Sequence, residues 1–459
     1  MAQRTAPHGM RIFTFIWIGQ LFSLIGSGLT EFALGVWVYQ RTESATQFAL
    51  ITFFIALPHI VISPLAGALV DRWDRRWAMI LSDVGAGCCT LIVALLLFTG
   101  RLEIWHVYVA VLASSTFGAF QFPAYSVVMT MLVPKEHLGR ANGMVELAWA
   151  AGRIISPLLA GLLVAAISIE AVILIDVATF LFALGALLVV RVPNPEPTSG
   201  DAEEEGILRS VRYGWAYIAE RPGLRGLLLF FLAVNFSLGF FQALFVPLIL
   251  SFASTETLGI TLSVGSSGLL IGGLLMSVWG GPRRRIHGVI GLGVPFGLCL
   301  LLTGVQPSVT LIAVASFVFF LLQPIINACD HAIWQSKVEP DVQGRVFAMR
   351  RTIEMSSALL AYLIAGPVID YLFAPLLAAD GPLVGSVGQL IGVGPGRGIG
   401  LLFVLLGLMP IGTALWAYLS PRVRLVEDEL PDVVADKPAD EEQISREADD
   451  RVGPVLAAS

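Results

Sequence analysis

Lysine and arginine are confined to short breaks in an otherwise apolar chain, and this segregation constrains the fold more than any other feature. Twelve apolar stretches can be drawn, at 12–39, 47–70, 77–99, 105–132, 142–168, 170–190, 224–250, 258–280, 287–305, 308–335, 347–372 and 398–420. A helix needs about 20 apolar residues to cross a hydrocarbon core of about 30 Å, and each stretch supplies roughly that. Of the 28 Lys and Arg, 24 lie in, or within about a turn of, the termini and the alternate loops on one side. Arg41, Arg101 and Arg397 fall on the other side, and Arg153 lies inside a stretch. Basic residues stay cytoplasmic during insertion. The expected product is an all-α integral protein of the cytoplasmic (inner) membrane, with twelve spans and both termini inside.

Composition agrees with this reading. Hydrophobic residues make up 56% of the chain and charged residues 14%, whereas a soluble domain carries roughly 25% charged residues. No small-residue cleavage site follows the first stretch at Arg41-Thr-Glu-Ser, so that stretch is expected to be retained. The formal net charge of −6 hides a division: acid is concentrated in Asp201–Glu205 and Glu427–Asp450. The loops beside the membrane are basic and suit an anionic inner leaflet. Cys88, Cys89, Cys299 and Cys329 all lie within spans without metal or redox spacing, and are expected to pack. Phosphate-binding loops, zinc motifs, nucleophile elbows and nucleic-acid modules are absent from the sequence, so neither an enzyme nor an ATP-driven pump is expected.

The chain divides in the middle. Pro193–Gly200 and the acidic run after it cannot bury apolar surface and suit a cytoplasmic linker. Beyond them Ile207, Val211, Trp215 and Ile218 recur at helical spacing, which fits a helix lying on the inner leaflet or one packed on the linker. The expected divisions are 1–191, a first six-helix bundle; 192–222, the linker; 223–420, a second bundle; and 421–459, an acidic disordered tail. The halves also resemble each other. Val133-Pro-Lys-Glu-His-Leu-Gly139-Arg140 matches Val338-Glu-Pro-Asp-Val-Gln-Gly344-Arg345 at an offset of 205. At the same offset Leu158-Leu-Ala-Gly161-Leu-Leu-Val164 falls on Leu363-Ile-Ala-Gly366-Pro-Val-Ile369. Two parallel repeats with a site between them form a transporter architecture.

Two motifs carry mechanism. Gly67-Ala-Leu69-Val-Asp71-Arg72-Trp-Asp74-Arg75-Arg76 closes span two. Gly67 allows another helix to approach, and Asp71 sits where a neighbouring helix would present its positive N-terminus. In span five, Gly143, Gly152, Ser156-Pro157 and Ala160-Gly161 put small residues on a helix that Pro157 bends; a tight packing face alone would also use them. The first segment resembles the loop 2–3 signature of the major facilitator superfamily, departing from it at Asp74 where glycine is usual. The second is similar to that superfamily's antiporter motif, with Ser156 and Ala160 in place of two glycines. Trp17-Ile-Gly-Gln20-Leu-Phe-Ser23, Glu31-Phe-Ala-Leu34 and Pro134–Gly143 look like the macrolide-efflux and enterobactin-exporter branch. The resemblance implies two pseudo-symmetric six-helix bundles, gating by Gly67, Asp71, Arg72, Arg75 and Arg76, and antiport through the span-five motif.

Charges inside the bilayer face a partner or an aqueous cavity. At 1.5 Å per residue, Arg153 in span five and Asp176 in span six sit at similar depths, about 18 and about 21 Å from the cytoplasmic side. They are expected to pair, either as a structural clamp or in coupling. Glu31 is expected on a helix that in this superfamily lines the cavity, as a proton carrier or as a carboxylate at the outer mouth. Asp330, His331, Glu354 and Glu146 are further coupling candidates; contacts to Lys337, Arg350 or Arg351 would explain them equally well. The function expected is export of amphipathic or hydrophobic small molecules in exchange for protons, by a monomer without cofactor, metal or nucleic-acid partner. A siderophore or endogenous product is an alternative cargo. A sensor or scaffold that kept the fold is the alternative of another class.

Overall fold

The computed structural model describes residues 6–62, 75–134, 137–189 and 207–431. The described residues form helices and connecting turns, with no strand among them. The first half contains α1 (Ala6–Thr42), α2 (Ala45–Val61), α3 (Arg75–Phe98), α4 (Ile104–Leu132), α5 (Leu138–Ala166) and α6 (Ile169–Val189). After α7 (Ile207–Ala219) come α8 (Pro222–Leu250), α9 (Thr255–Trp279), α10 (Arg285–Val305), α11 (Val309–Lys337) and α12 (Pro340–Val368). A π-helical stretch Ile369–Phe373 extends α12; α13 (Val387–Ile391), α14 (Arg397–Leu419), α15 (Pro421–Arg424) and α16 (Val426–Glu429) are the last of the described helices. Among the described residues ten helices are long and apolar enough to cross a membrane. With α2 and α4 they make the expected twelve.

Local chemistry sets the ends. Ser44, Ser254 and Ser308 each cap a helix by accepting from the backbone N–H three residues on. Pro222 and Pro340 open helices where no N–H is needed, and Gly280, at φ 75°, stops α9 in the left-handed region. Large apolar side chains such as Leu274, Val278, Leu95 and Trp77 face outward, where lipid would cover them. Glycines sit between helices instead: Gly268 and Gly272 of α9 meet the backbone of α11 where no Cβ could fit. That is the packing expected where lipid already satisfies apolar side chains and close backbone approach adds the attraction.

The helices pack as two sets. In the first half, α1 lies against α5 and α6, α3 against α4 and α6, and α2 against α4. In the second, α8 packs on α12 and α14, α10 on α11 and α14, and α9 on α11. Contact between the sets runs mainly through α5 with α9 and α2 with α12, a pseudo-symmetric pair. Twelve crossings bring the first and last helices to one side, here the terminus side; the opposite side is the far side.

Two expectations about the connecting segments need correction or completion. Residues 192–206 and 432–459 lie outside the described residues. The tail expected from 421 is folded at its start: Val423 and Val426 are buried and fill the space left by Gly226 and Gly223. The Glu427 carboxylate accepts from the Arg285 and Ile286 amides, at 3.2 and 2.9 Å, and so caps α10. Lys337 donates to the Glu427 and Leu430 carbonyls at 2.5 and 2.6 Å. Acidic composition marked this stretch as solvated, but two valines and a helix start in need of an anion outweigh it. α7 forms as its spacing predicts. It packs on the start of α12, with Ile218 fully buried, Gly214 against the Arg345 backbone and Tyr213 under the Arg345 guanidinium.

Candidate functional site

Among the described residues the two halves touch on the far side and part on the terminus side. A Cβ on Gly161 of α5 would lie 3.0 Å from the Thr255 carbonyl oxygen and 3.1 Å from Gly259 Cα, so α5 and α9 meet nearly backbone to backbone there. Ser263 donates to the Ile154 carbonyl at 2.6 Å, and Gln40 to Thr255 at 3.2 Å. Gly143 lies 18 residues before Gly161 on α5. At 3.6 residues per turn that is five turns, so both glycines share one face. Yet the space around Gly143 is open. Among the described residues, therefore, a cleft runs between the halves, closed at the far side and open towards the chain ends.

The same far-side contact has a second strand. Gly366 of α12 touches Thr46 where a Cβ could not fit. Asp370, in the π-helical stretch, accepts from the Ser44 hydroxyl at 2.7 Å and from the Ala45 and Thr46 amides at 3.2 and 2.9 Å. Gly161 and Gly366, the two glycines paired by the sequence repeat, thus mark the two close approaches between the halves. Beyond them, a recess of ≈ 480 Å³ lined by Trp37, Gln40, Glu170 and Glu256 opens outward; neither Glu31 nor Arg153 lines it.

Span five is held from two sides. Gly152 rests on Leu24 of α1, and Ser156 fits against Gly28 and donates to the Ile25 carbonyl at 3.0 Å. One face over, the Pro157 carbonyl and Gly161 meet Gly259 of α9. Arg153 falls between these faces and points into the cleft, where it is exposed. It lies near enough to Tyr362 of α12 to act on it electrostatically. Tyr362 in turn donates to Gln242 of α8 at 3.1 Å. Glu31 of α1 keeps accessible surface although protein surrounds it.

The expected Arg153–Asp176 pair does not form. Asp176 is buried, 3% exposed, and accepts from Ser27 at 3.5 Å and Thr90 at 3.4 Å. Depth matched, but azimuth did not: α1 stands between the cleft face of α5 and the inner face of α6. The Asp176 charge is felt instead by Glu31 of α1.

Asp330 and Glu354 are brought together, though not at the cleft. Arg350, 4% exposed, is hydrogen-bonded to Asp330 and bonds Glu354 at 2.7 Å. Trp334 donates to Asp330 at 3.0 Å, and its ring lies 5.0 Å from the Arg350 guanidinium carbon. The network ties α11 to α12, and Lys337 is occupied by the tail. His331 and Glu146 are exposed. Gly67, Asp71, Arg72 and Asp74 lie outside the described residues, as do the side chains of Arg75 and Arg76, whose backbone opens α3.

One group was missed in the sequence. Asp83 of α3, 5% exposed, accepts from Gln20 of α1 at 3.0 Å and from Gln121 of α4. Gln121 also donates to the Gln20 carbonyl at 2.8 Å. Among the described residues no cation is a partner of this carboxyl. Gln20 stands in the Trp17–Ser23 segment noted in the sequence, and an aspartate six residues inside an apolar span was the available signal. Among the described residues no cluster of His, Cys, Asp and Glu suits a metal ion.

Comparison with known proteins agrees with this architecture. The model of the Major Facilitator Superfamily matches residues 16–362. Macrolide efflux protein A of Streptococcus pyogenes is 30% identical over 375 residues, covering 80% of this chain and 90% of that protein. Multidrug efflux pump Tap of Mycolicibacterium fortuitum is 26% identical, over 78% of this chain and 90% of its own. A bacterial homologue of the human lysosomal transporter Spinster, solved inward-facing and unoccupied, shares the fold with a TM-score of 0.67 at 14% identity, covering 91% and 98% of the two chains. The nucleoside transporter NupG does so with 0.66 at 11% identity, covering 88% and 98%. These relatives and neighbours are transporters rather than enzymes, and this chain belongs to the Major Facilitator Superfamily.

Proposed function

We propose that the protein exports amphipathic or hydrophobic small molecules across the cytoplasmic membrane in exchange for protons, by alternating access. The observation that carries this reading is the 30% identity to macrolide efflux protein A over nine-tenths of that protein's length. The cleft supports it. With the termini cytoplasmic, a cleft open on their side faces the compartment from which an exporter collects its cargo. Its wall combines polar Gln242 and Tyr362 and charged Glu31 and Arg153 with apolar helix surface, a lining that suits amphipathic molecules.

Protons would be carried by carboxyls with no cation to neutralise them. Glu31 at the cleft, Asp176 behind it and Asp83 deeper in the first bundle meet that condition; Asp330 and Glu354, bound to Arg350, do not. Each proton moving inward releases about 2.3 kcal/mol per 100 mV of membrane potential. The unit that works is the single chain, since the cleft is complete within it. Gly67, Asp71, Arg72, Arg75 and Arg76 would close the terminus side in the alternate state.

The test is a panel of macrolides and other amphipathic drugs in an efflux-deficient host, with and without a protonophore. Expression should raise resistance to at least one compound, and the protonophore should abolish the gain. Resistance that survives collapse of the proton gradient overturns the antiport. Glu31→Gln should bind substrate but stop substrate-driven proton release in proteoliposomes, whereas Asp330→Asn should not stop it.

A further inference from the structure

We propose that Asp370 is the latch holding the far side shut, and that its charge sets which side of the membrane the cleft faces. The inference rests on alternating access but is read from contacts between the halves. Asp370 belongs to the second half, and all three of its donors belong to the first half: the Ser44 hydroxyl and the Ala45 and Thr46 amides. Those amides are the first two of α2, which have no partner inside their own helix and lie at its positive end. Ser44 caps only the third amide, that of Gln47. Asp370 thus supplies what α2 lacks, and only while the halves touch.

The local sequence is built to deliver it. Gly366 removes the Cβ that would hold α12 away from Thr46. Pro367 has no N–H for the helical ladder, and the chain widens into the π-helical stretch that carries Asp370. Opening the far side must break three bonds to a carboxylate at once, and such bonds are the strong ones. A symmetry follows. The superfamily resemblance implies that Asp71, at the terminus-side end of span two, closes against span eleven. Asp370, at the far end of span eleven, holds the start of span two. The same two helices would exchange aspartates at opposite ends, one engaged in each state.

The test uses Ala49→Cys in the full chain with Cys88, Cys89, Cys299 and Cys329 replaced by serine, reconstituted in nanodiscs. Ala49 of α2 is 1% exposed and packs with the core of the second half, so its thiol is reachable only when the far side opens. Reaction with a bulky hydrophilic maleimide should be slow while Asp370 is present. Asp370→Asn should speed it by about tenfold and Asp370→Ala by more, as charge-assisted bonds are lost and the population shifts. Gly366→Ala, which wedges the contact with Asp370 intact, should also speed it. Unchanged rates in both Asp370 variants overturn the latch, whatever Gly366→Ala does. If those variants fail to fold, Ser44→Ala, lacking one of the three bonds, is read in the same way. The readout needs neither substrate nor protons, so failure of the export reading would appear separately, as unaltered gating without efflux.

Discussion

A carboxylate inside this protein is defined by what donates to it. Asp330 has a guanidinium and an indole; Asp176 has two hydroxyls; Asp83 has two amides. The first is a structural clamp, and removing its cation should be costly. Arg350→Ala leaves Asp330 buried and unpaired, a loss of about 3–5 kcal/mol, seen as a lower unfolding temperature in detergent. Replacing both residues, as Asp330→Asn with Arg350→Met, should recover much of that loss. Arg153 and Asp176 make no contact, so their substitutions should act independently: Arg153→Gln and Asp176→Asn should add within about 0.5 kcal/mol in stability. A clear departure from additivity would restore the pair. Sequence depth had suggested that pair because rise along a helix is legible from numbering. The direction a side chain takes around two tilted helices is not, since it depends on which neighbour stands between them.

At the scale of helices, span five shows how one face can serve two states. Gly161 is clamped against α9 while Gly143, five turns earlier on the same face, is free. Gly161→Val should therefore block far-side closure, whereas Gly143→Val should leave the present state intact and hinder closure on the terminus side. Disulfide trapping of cysteines across α5 and α9, at the two ends separately, distinguishes the outcomes; equal effects at both ends would count against this rocking. Much of this element was readable beforehand. The small residues, the proline and the repeat that pairs Gly161 with Gly366 were all in the sequence, and both glycines sit at the contacts between halves. Asp370 was passed over because it stands near a span end, where an acidic residue needs no explanation. Its meaning comes from α2, more than 300 residues away in the chain.

For the whole molecule, charge segregation predicted twelve crossings and the internal repeat two bundles; the described residues give ten helices of spanning length and two further apolar ones, packed as two sets. What pattern could not give was the state: a hydrophobic period looks the same whichever side is open, and only contacts across the halves reveal it. Nor did composition reveal that the fold continues past the last span, through Val423, Val426 and Glu427. Truncation after Leu430 should be tolerated, whereas removal of everything from Pro421 should lower the thermal stability of the second half and uncap α10. Measured yield and unfolding temperature of the two truncations would decide this, and equal stability would show that the strap adds nothing. Because Val423, Val426 and Glu427 are made after every span, the second bundle is sealed only once its last span has been synthesised. A chain cut off between Leu419 and Val423 would have every span inserted yet bare glycines on α8, unfinished in a way that membrane proteases can recognise.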